Sequence, residues 1–136
     1  MNNTDNNTKG NFLVFHSTNR AQMLQPNAKL WHEEIIQIAQ TGITEENPNR
    51  NFQLVALVSN ATPEEVFELT QHLENPWQQN PEVIAFTHQP RSTSVGDVIF
   101  RVGETNFKKA LMVGHFHYID LSKIQEGQYT FDTKVF

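Results

Sequence analysis

The sequence contains no cysteine. A chain without cysteine forms no disulfide, offers no thiolate to a metal ion and has no cysteine nucleophile. Long apolar runs are also missing, because no stretch approaches the length of about 18 residues that a membrane helix needs. Residues 1–10 lack the apolar core of a signal peptide. We therefore expect a cytoplasmic protein that does not contact a membrane.

Charged side chains are scarce, at 18% of the chain, and the formal net charge is -5. Basic residues are scarcest between positions 31 and 90, where Arg50 is the only basic residue against nine glutamates. Nonspecific binding to nucleic acid depends on neutralising phosphates, so this acidic middle segment disfavours a nucleic-acid partner. Residues 91–136 are nearly balanced in charge and leave one weakly basic end.

The pattern of apolar residues predicts a single α+β domain. A length of 136 residues suits one domain, and we assign residues 11–136 to it. Residues 1–10 are mostly Asn and Thr, which predicts a disordered tail. We expect an antiparallel or mixed β-sheet of about five strands with two helices packed on one face. The predicted strands are residues 12–15, 52–58, 83–86, 98–102 and 111–118, and the predicted helices run from Asn27 to Gly42 and from Thr62 up to Asn75.

Two segments carry the clearest local signals. Residues 62–65, Thr-Pro-Glu-Glu, predict a helix start in which Thr62 is the cap and Glu65 completes a capping box. Residues 52–58 alternate as a strand does, which places the even-numbered side chains on one face. Both faces become apolar towards the end of this segment, so we expect a central strand.

The densest polar stretch, residues 90–97, precedes the fourth predicted strand and holds an arginine, three hydroxyls and a Gly-Asp turn. A guanidinium, hydroxyls and backbone amides together can surround an anion such as phosphate or carboxylate. The alternative is a turn held by its own hydrogen bonds, in which Gly96 takes a positive φ and Asp97 bonds nearby amides. The candidate ligand-binding residues are Arg91, Ser92, Thr93, Ser94, Asp97, Trp77 and Arg101.

Trp77 lies in a loop between two prolines and has two interpretations. An exposed tryptophan in such a loop can anchor a partner protein. The alternative is that its ring folds over the end of the second helix and completes the core.

A pair of histidines is the only hint of a metal site. His115 and His117 lie two residues apart, so they share one face of a strand. The pair can begin a zinc site only if folding adds a ligand such as His16, His72 or His88. The alternative is an ordinary polar strand face. We therefore predict no metal and no cofactor, with His115 and His117 as weak candidates.

Catalytic residue types are present without a catalytic motif. Ser92 or Ser94, a histidine and Asp97 are the types that nucleophilic hydrolysis uses. The nucleophile elbow Gly-x-Ser-x-Gly is absent from the sequence. The sequence therefore favours a noncatalytic protein over an enzyme.

Three segments together resemble the YodL-like small bacterial proteins. They are residues 64–73 (EEVFELTQHL), 75–77 (NPW) and 91–99 (RSTSVGDVI). The last is similar to an arginine–hydroxyl–Ser-Val-Gly-Asp segment that follows a comparable helix in that family. The resemblance implies a cytoplasmic bacterial domain, found also in larger proteins of plasmids and mobile elements, whose biochemical role is poorly defined.

These observations predict a noncatalytic binding or regulatory module. We expect it to contact a protein or a small anionic ligand through residues 91–97. An apolar content of 38% gives no reason for an obligate oligomer, so we expect a monomer or a weak homodimer. The alternatives are a small metal-dependent or hydrolytic enzyme and a mobile-element-associated nucleic-acid accessory protein.

Overall fold

The structure is a computed structural model that describes most of the chain between residues 8 and 120. The described residues are 8–18, 28–45, 47, 50–73, 75–87, 90–104, 110–114 and 118–120, with the side chains of residues 28–30 left out. No helix in these residues is long and apolar enough to cross a membrane.

Six strands and two α-helices make up the described part of the chain. In chain order they are β1 (Gly10–Ser17), α1 (Ala28–Thr41), β2 (Phe52–Ala61), α2 (Pro63–Leu69), a 3₁₀ helix (Trp77–Gln79), β3 (Val83–Ala85), β4 (Val98–Arg101), β5 (Leu111–Val113) and β6 (Tyr118–Asp120).

The strands form one antiparallel sheet in the order β3-β2-β1-β4-β5-β6. This arrangement confirms the predicted α+β class and the antiparallel option. The sheet has six strands rather than about five, because the expected strand 111–118 is two short strands. β5 and β6 pair with each other, and His115 and His117 lie between them, outside the described residues.

The two helices cover opposite faces of the sheet, which corrects the expectation that both pack on one face. Helix α1 buries Trp31, Ile35 and Ile38 against strand residues such as Phe15 and Val98. Helix α2 buries Val66 on the other face. There the cluster contains Phe12, Val14, Val55, Ala56, Val58 and Ile99. Because consecutive strand residues point to opposite faces, β1 and β4 supply both clusters.

A bulge explains why β2 also serves both faces. Val14 pairs with Ala56, whereas the next residue, Phe15, pairs with Leu54. Val55 is therefore an extra residue, and the side-chain alternation changes face at that point. Phe52 and Leu54 pack on the α1 face, whereas Ala56 and Val58, which follow the bulge, pack on the α2 face. The expectation that residues 52, 54, 56 and 58 share one face is thus wrong.

Two helix ends follow the sequence signals, whereas α2 ends at Leu69 rather than just before Asn75 as expected. Gly42 ends α1 with a φ of 69°, and its N–H donates to the Ile38 carbonyl at 2.8 Å. Thr62 and Glu65 form the predicted capping box, in which the Thr62 hydroxyl accepts from the Glu65 N–H and the Glu65 carboxylate accepts from the Thr62 N–H. The capping bond to Thr62 lowers the pKa of Glu65.

The amino-terminal strand begins earlier than expected. Gly10 belongs to β1, and the Thr8 carbonyl accepts a 3.0 Å hydrogen bond from the Arg101 guanidinium. Thr8 and Gly10 thus have defined contacts within the range predicted as a tail, and residues 1–7 of that range lie outside the described residues.

The capping box should contribute measurably to stability. We expect Thr62→Ala to lower the free energy of unfolding by about 1 kcal/mol, because the first turn of α2 loses its cap. Thr41→Ala, which removes an exposed hydroxyl at the other helix's end, should change it by less than about 0.5 kcal/mol. Urea unfolding of both variants measures the difference, and equal losses would contradict the role of the cap.

Candidate functional site

Residues 90–97 cross one end of the sheet and contact three other parts of the chain. Towards α2, the Thr93 N–H donates to the Thr70 carbonyl at 3.0 Å, and Gln71 Nε2 donates to the Thr93 carbonyl at 2.7 Å. Towards β5, the Gly96 N–H donates to the Val113 carbonyl at 2.9 Å. Gly96 has the predicted positive φ, 94°, which a side chain would strain.

Asp97 is the centre of this loop, and its carboxylate is fully buried. Oδ1 accepts from the Ser17 N–H at 2.8 Å and from Arg91 Nη2 at 2.7 Å. Oδ2 accepts from the Ser94 N–H at 2.8 Å and from Arg91 Nη1 at 2.6 Å. Four donors therefore surround one carboxylate, which is about the number that its lone pairs can take. A buried charge with this many partners is compensated in place.

Arg91 forms a two-bond fork with Asp97 and also binds the loop itself. Its Nη1 reaches the Ser92 carbonyl at 3.0 Å and Ser94 Oγ at 3.3 Å, and its Nη2 reaches the Ser17 carbonyl at 3.1 Å. The planar guanidinium suits this geometry because its donors form a fixed fork. One third of the side chain, 34%, remains exposed. Arg91 therefore joins β1 to the loop while keeping one edge at the surface.

His16 and Thr93 lie beside the Arg91–Asp97 pair inside the protein. His16 Nε2 is 2.9 Å from Thr93 Oγ1 and 3.8 Å from Asp97 Oδ2. Burial lowers the pKa of His16 from 6.5 to about 4; the Asp97 charge raises it and the Arg91 charge lowers it further. The ring is thus neutral at pH 7, and its contact with Asp97 is not an ion pair.

The turn after α2 is held by His72 and Trp77. The Trp77 N–H donates to His72 Nδ1 at 3.2 Å, so His72 Nε2 carries the proton that it donates to the Pro90 carbonyl at 2.6 Å. The His72 N–H donates to Ser92 Oγ at 2.8 Å, and Trp77 Nε1 donates to the Arg91 carbonyl at 2.9 Å. Three hydrogen bonds therefore connect this turn to residues 90–92, and the fourth closes the turn itself.

Two of the predicted site residues lie away from any binding surface. Trp77 has no exposed area, so its position agrees with the core interpretation and excludes the exposed-anchor interpretation. Arg101 pairs with Phe12 on β1 and lies over its ring, 4.5 Å from the centroid. Asp97 binds β1 at Ser17, which is five residues after Phe12. Five residues span about 17 Å of a strand. Arg101 is thus at the opposite end of the strand from the loop.

The remaining predicted residues are brought together. Arg91, Ser92, Thr93, Ser94 and Asp97 form one hydrogen-bonded unit, of which Thr93 and Asp97 are buried and the other three are partly exposed. The sequence did not assign Ser17 to this unit. It also did not predict that His16 contacts Thr93 or that His72 binds Pro90 and Ser92. Ser17 contributes through its backbone, which leaves no signal in the sequence.

Thr93, His16 and Asp97 superficially suggest a nucleophile–base–acid triad. In such a triad the acid orients the base by binding the nitrogen that does not face the nucleophile. Here Asp97 and Thr93 both approach Nε2 of His16. Thr93 is only 2% exposed, so its hydroxyl does not reach solvent. The geometry therefore supports a packing role for these three residues.

No group of three or more potential ligands among the described residues could hold a metal ion. The weak candidates His115 and His117 lie outside those residues, so the metal hypothesis for this pair stays a prediction. His16 and His72 both contact Trp77, with ring centroids 6.2 Å and 6.4 Å away. His72 uses both ring nitrogens for the hydrogen bonds described above, so it has no nitrogen to offer to a metal.

Comparison of the chain with protein-family models, with curated proteins and with solved structures finds no match. The resemblance of residues 64–99 to the YodL-like proteins stays a prediction. The interpretation of the site therefore depends on its own geometry.

Removing the Asp97 carboxylate should leave an anion site inside the protein. We expect Asp97→Ala to lower the free energy of unfolding by about 3–5 kcal/mol, because Arg91 loses its partner. Sodium formate should restore part of the melting temperature in this variant, since formate can bind the vacated guanidinium and amides. Sodium chloride at the same ionic strength is the control. Equal effects of the two salts, or a stability loss below about 1 kcal/mol, would contradict this role.

His16 should make the protein less stable in mild acid. The unfolded chain takes up a proton near pH 6.5, whereas the folded ring resists it until about pH 4. The stability due to this difference is fully present above pH 6.5 and is lost as the pH falls to about 4, by up to about 3 kcal/mol. In His16→Gln this loss should be missing from the urea-unfolding profile between these pH values. If the pH profile of His16→Gln matches that of the unmodified protein, the pKa of His16 is not lowered by folding.

Proposed function

We propose that this protein is a noncatalytic binding module that contacts another protein through the surface formed by His72, Leu73, Arg91 and Ser92, called here the Leu73 surface. Leu73 is 78% exposed, the largest exposure among the described large apolar residues that lie on the surface. It directly follows His72, whose N–H is bonded to Ser92. An exposed apolar side chain beside a fixed polar loop is a typical centre of a protein contact.

The Leu73 surface is held rigidly, which favours binding. The loop is bonded to the turn after α2, to β1 and to β5, and these bonds restrict its backbone. A rigid surface loses little conformational entropy when a partner binds. The exposed third of Arg91 and the partly exposed Ser92 then supply polar contacts around Leu73.

A protein partner fits this geometry better than a small anion does. The donors that could surround an anion are the Arg91 guanidinium and the amides of Ser17 and Ser94, and all of them bind Asp97. An external anion would have to displace a fully buried carboxylate of the same charge. The loop therefore supports the binding surface from within.

The bonding of the polar residues also supports a noncatalytic role. The ring nitrogens of His72 bind groups of the same chain, and so do the carboxylate oxygens of Asp97. A general base must be able to reach a proton on a substrate. The resemblance to the YodL-like proteins, a family with a poorly defined role, is compatible with such a module.

Replacing Leu73 should abolish partner binding without unfolding the protein. We expect Leu73→Glu to prevent co-purification of a partner from lysate of the source cells, because a charge replaces the apolar contact. Its melting temperature should stay near that of the unmodified protein, since Leu73 is exposed. Val102→Glu is the matched control, because Val102 is also exposed (48%) and lies beyond Arg101 at the other end of the sheet.

The outcome separates a specific partner from nonspecific capture. A protein that is retained by the unmodified chain and by Val102→Glu but lost by Leu73→Glu supports the Leu73 surface. A partner that all three proteins retain equally would place the contact elsewhere and would overturn the proposal.

A further inference from the structure

The outer strand β3 presents unpaired backbone groups next to an exposed isoleucine. Among the residues that the structure describes, β3 is the last strand on its side of the sheet and pairs with β2 alone. The Phe86 N–H donates to the Val55 carbonyl, and the Ser59 N–H donates to the Glu82 carbonyl. In an antiparallel ladder these bonds fall on every second residue, so Ile84 also faces β2. The N–H and carbonyl groups of Val83 and Ala85 therefore point away from the sheet.

One of these outward groups is already bonded. The Val83 N–H donates to the Asn80 carbonyl at 3.0 Å, in the turn that precedes β3. No hydrogen bond joins the Val83 carbonyl or the Ala85 N–H to another described residue. The edge thus offers the Ala85 N–H as a donor and the Val83 carbonyl as an acceptor, two residues apart with Ile84 between them, and the Ala85 carbonyl also points outward. Unpaired edges of this kind are sites at which another strand can add.

Ile84 lies at the end of an apolar row that crosses the sheet. Ile84 pairs with Leu57, Leu57 with Leu13, and Leu13 with Phe100, so the four residues share the α1 face. Exposure increases along the row from Phe100, which is buried, to Ile84, which is 54% exposed. Helix α1 buries its apolar side chains against residues nearer the other end of the same strands, such as Phe15 and Leu54.

We propose that β3 pairs with β3 of a second copy of this chain, in an antiparallel arrangement centred on Ile84. A two-fold axis at Ile84 places Val83 of one copy opposite Ala85 of the other. The Ala85 N–H of each copy then donates to the Val83 carbonyl of the other, so two backbone hydrogen bonds join the copies. The edge is self-complementary in this register, and a two-fold contact requires that property.

The side chains are compatible with the same register. The two Ile84 side chains stand opposite each other at a position without backbone bonds, where Cβ atoms are about 4.5–5.5 Å apart. The apolar row then continues through the dimer and removes the exposed part of Ile84 from water. Glu82 of one copy lies opposite Phe86 of the other, so the two Glu82 carboxylates do not meet. With only three residues in β3, the contact is small and the dimer weak.

Sedimentation equilibrium of the full chain over a range of protein concentrations tests the dimer. We expect the apparent mass to rise from that of one chain towards that of two as the concentration increases. Ile84→Lys should stay monomeric at every concentration, because it places two charges opposite each other. Ala85→Pro should do the same, because it removes the donor N–H at an edge position that tolerates proline. Val102→Lys, with its exposed position away from β3, should dimerise as the unmodified protein does.

Hydrogen exchange adds a readout that a different interface would not reproduce. Exchange of the Ala85 amide should slow as the protein concentration rises, whereas exchange of the inward-facing Ile84 amide should stay slow throughout. Three results would overturn the proposal: a monomer at all concentrations, a dimer that persists in Ile84→Lys, or an Ala85 amide that is protected at every concentration and is thus covered by the same chain.

The dimer is independent of the proposed partner surface. Leu73 follows α2, on the other face of the sheet, so Leu73→Glu should dimerise as the unmodified chain does. Loss of partner binding in that variant and loss of dimerisation in Ile84→Lys can therefore be observed separately.

Discussion

The buried carboxylate of Asp97 is the constraint on which the loop of residues 90–97 depends. A charge without exposure is stable only with several donors around it, and here the donors come from Arg91, Ser17 and Ser94. These donors belong to β1 and to the loop, so satisfying the charge requires that the two segments meet. The position of Arg91 in turn places its carbonyl where Trp77 Nε1 can donate to it. One electrostatic requirement therefore fixes a loop, a strand end and the turn after α2 relative to one another.

The same requirement explains why the polar residues at this end of the sheet serve structure. The Arg91 guanidinium and the Ser94 amide, which could otherwise bind an external anion, bind the carboxylate of Asp97. What remains at the surface is the outer edge of Arg91, Ser92 and the apolar Leu73. A frame of buried hydrogen bonds with an apolar side chain exposed beside it is the arrangement from which we propose a contact with another protein.

Several elements could be predicted because their signals are local. The capping box at Thr62 and Glu65 and the positive φ of Gly96 depend on a few adjacent residues, and the structure confirms them. The faces of the sheet that the two helices cover, and the faces to which the β2 side chains point, could not be predicted in this way. A bulge at Val55 moves half of β2 to the other face, and nothing in the alternation of residues 52–58 announces it. Sequence periodicity assumes a regular ladder, and one extra residue reverses the face.

The sequence by itself determined the α+β class, the end of α1 at Gly42, the start of α2 at Thr62 and the concentration of polar groups in residues 91–97, because periodicity, capping and composition are properties of neighbouring residues. Tertiary structure alone decided what those polar groups do. Ser17 joins the site through its backbone, His16 comes from a distant strand, and Trp77 turns inward to bond the Arg91 carbonyl. Each of these contacts links residues that are far apart in the chain, and the need to compensate a buried charge selects them only after the sheet has formed.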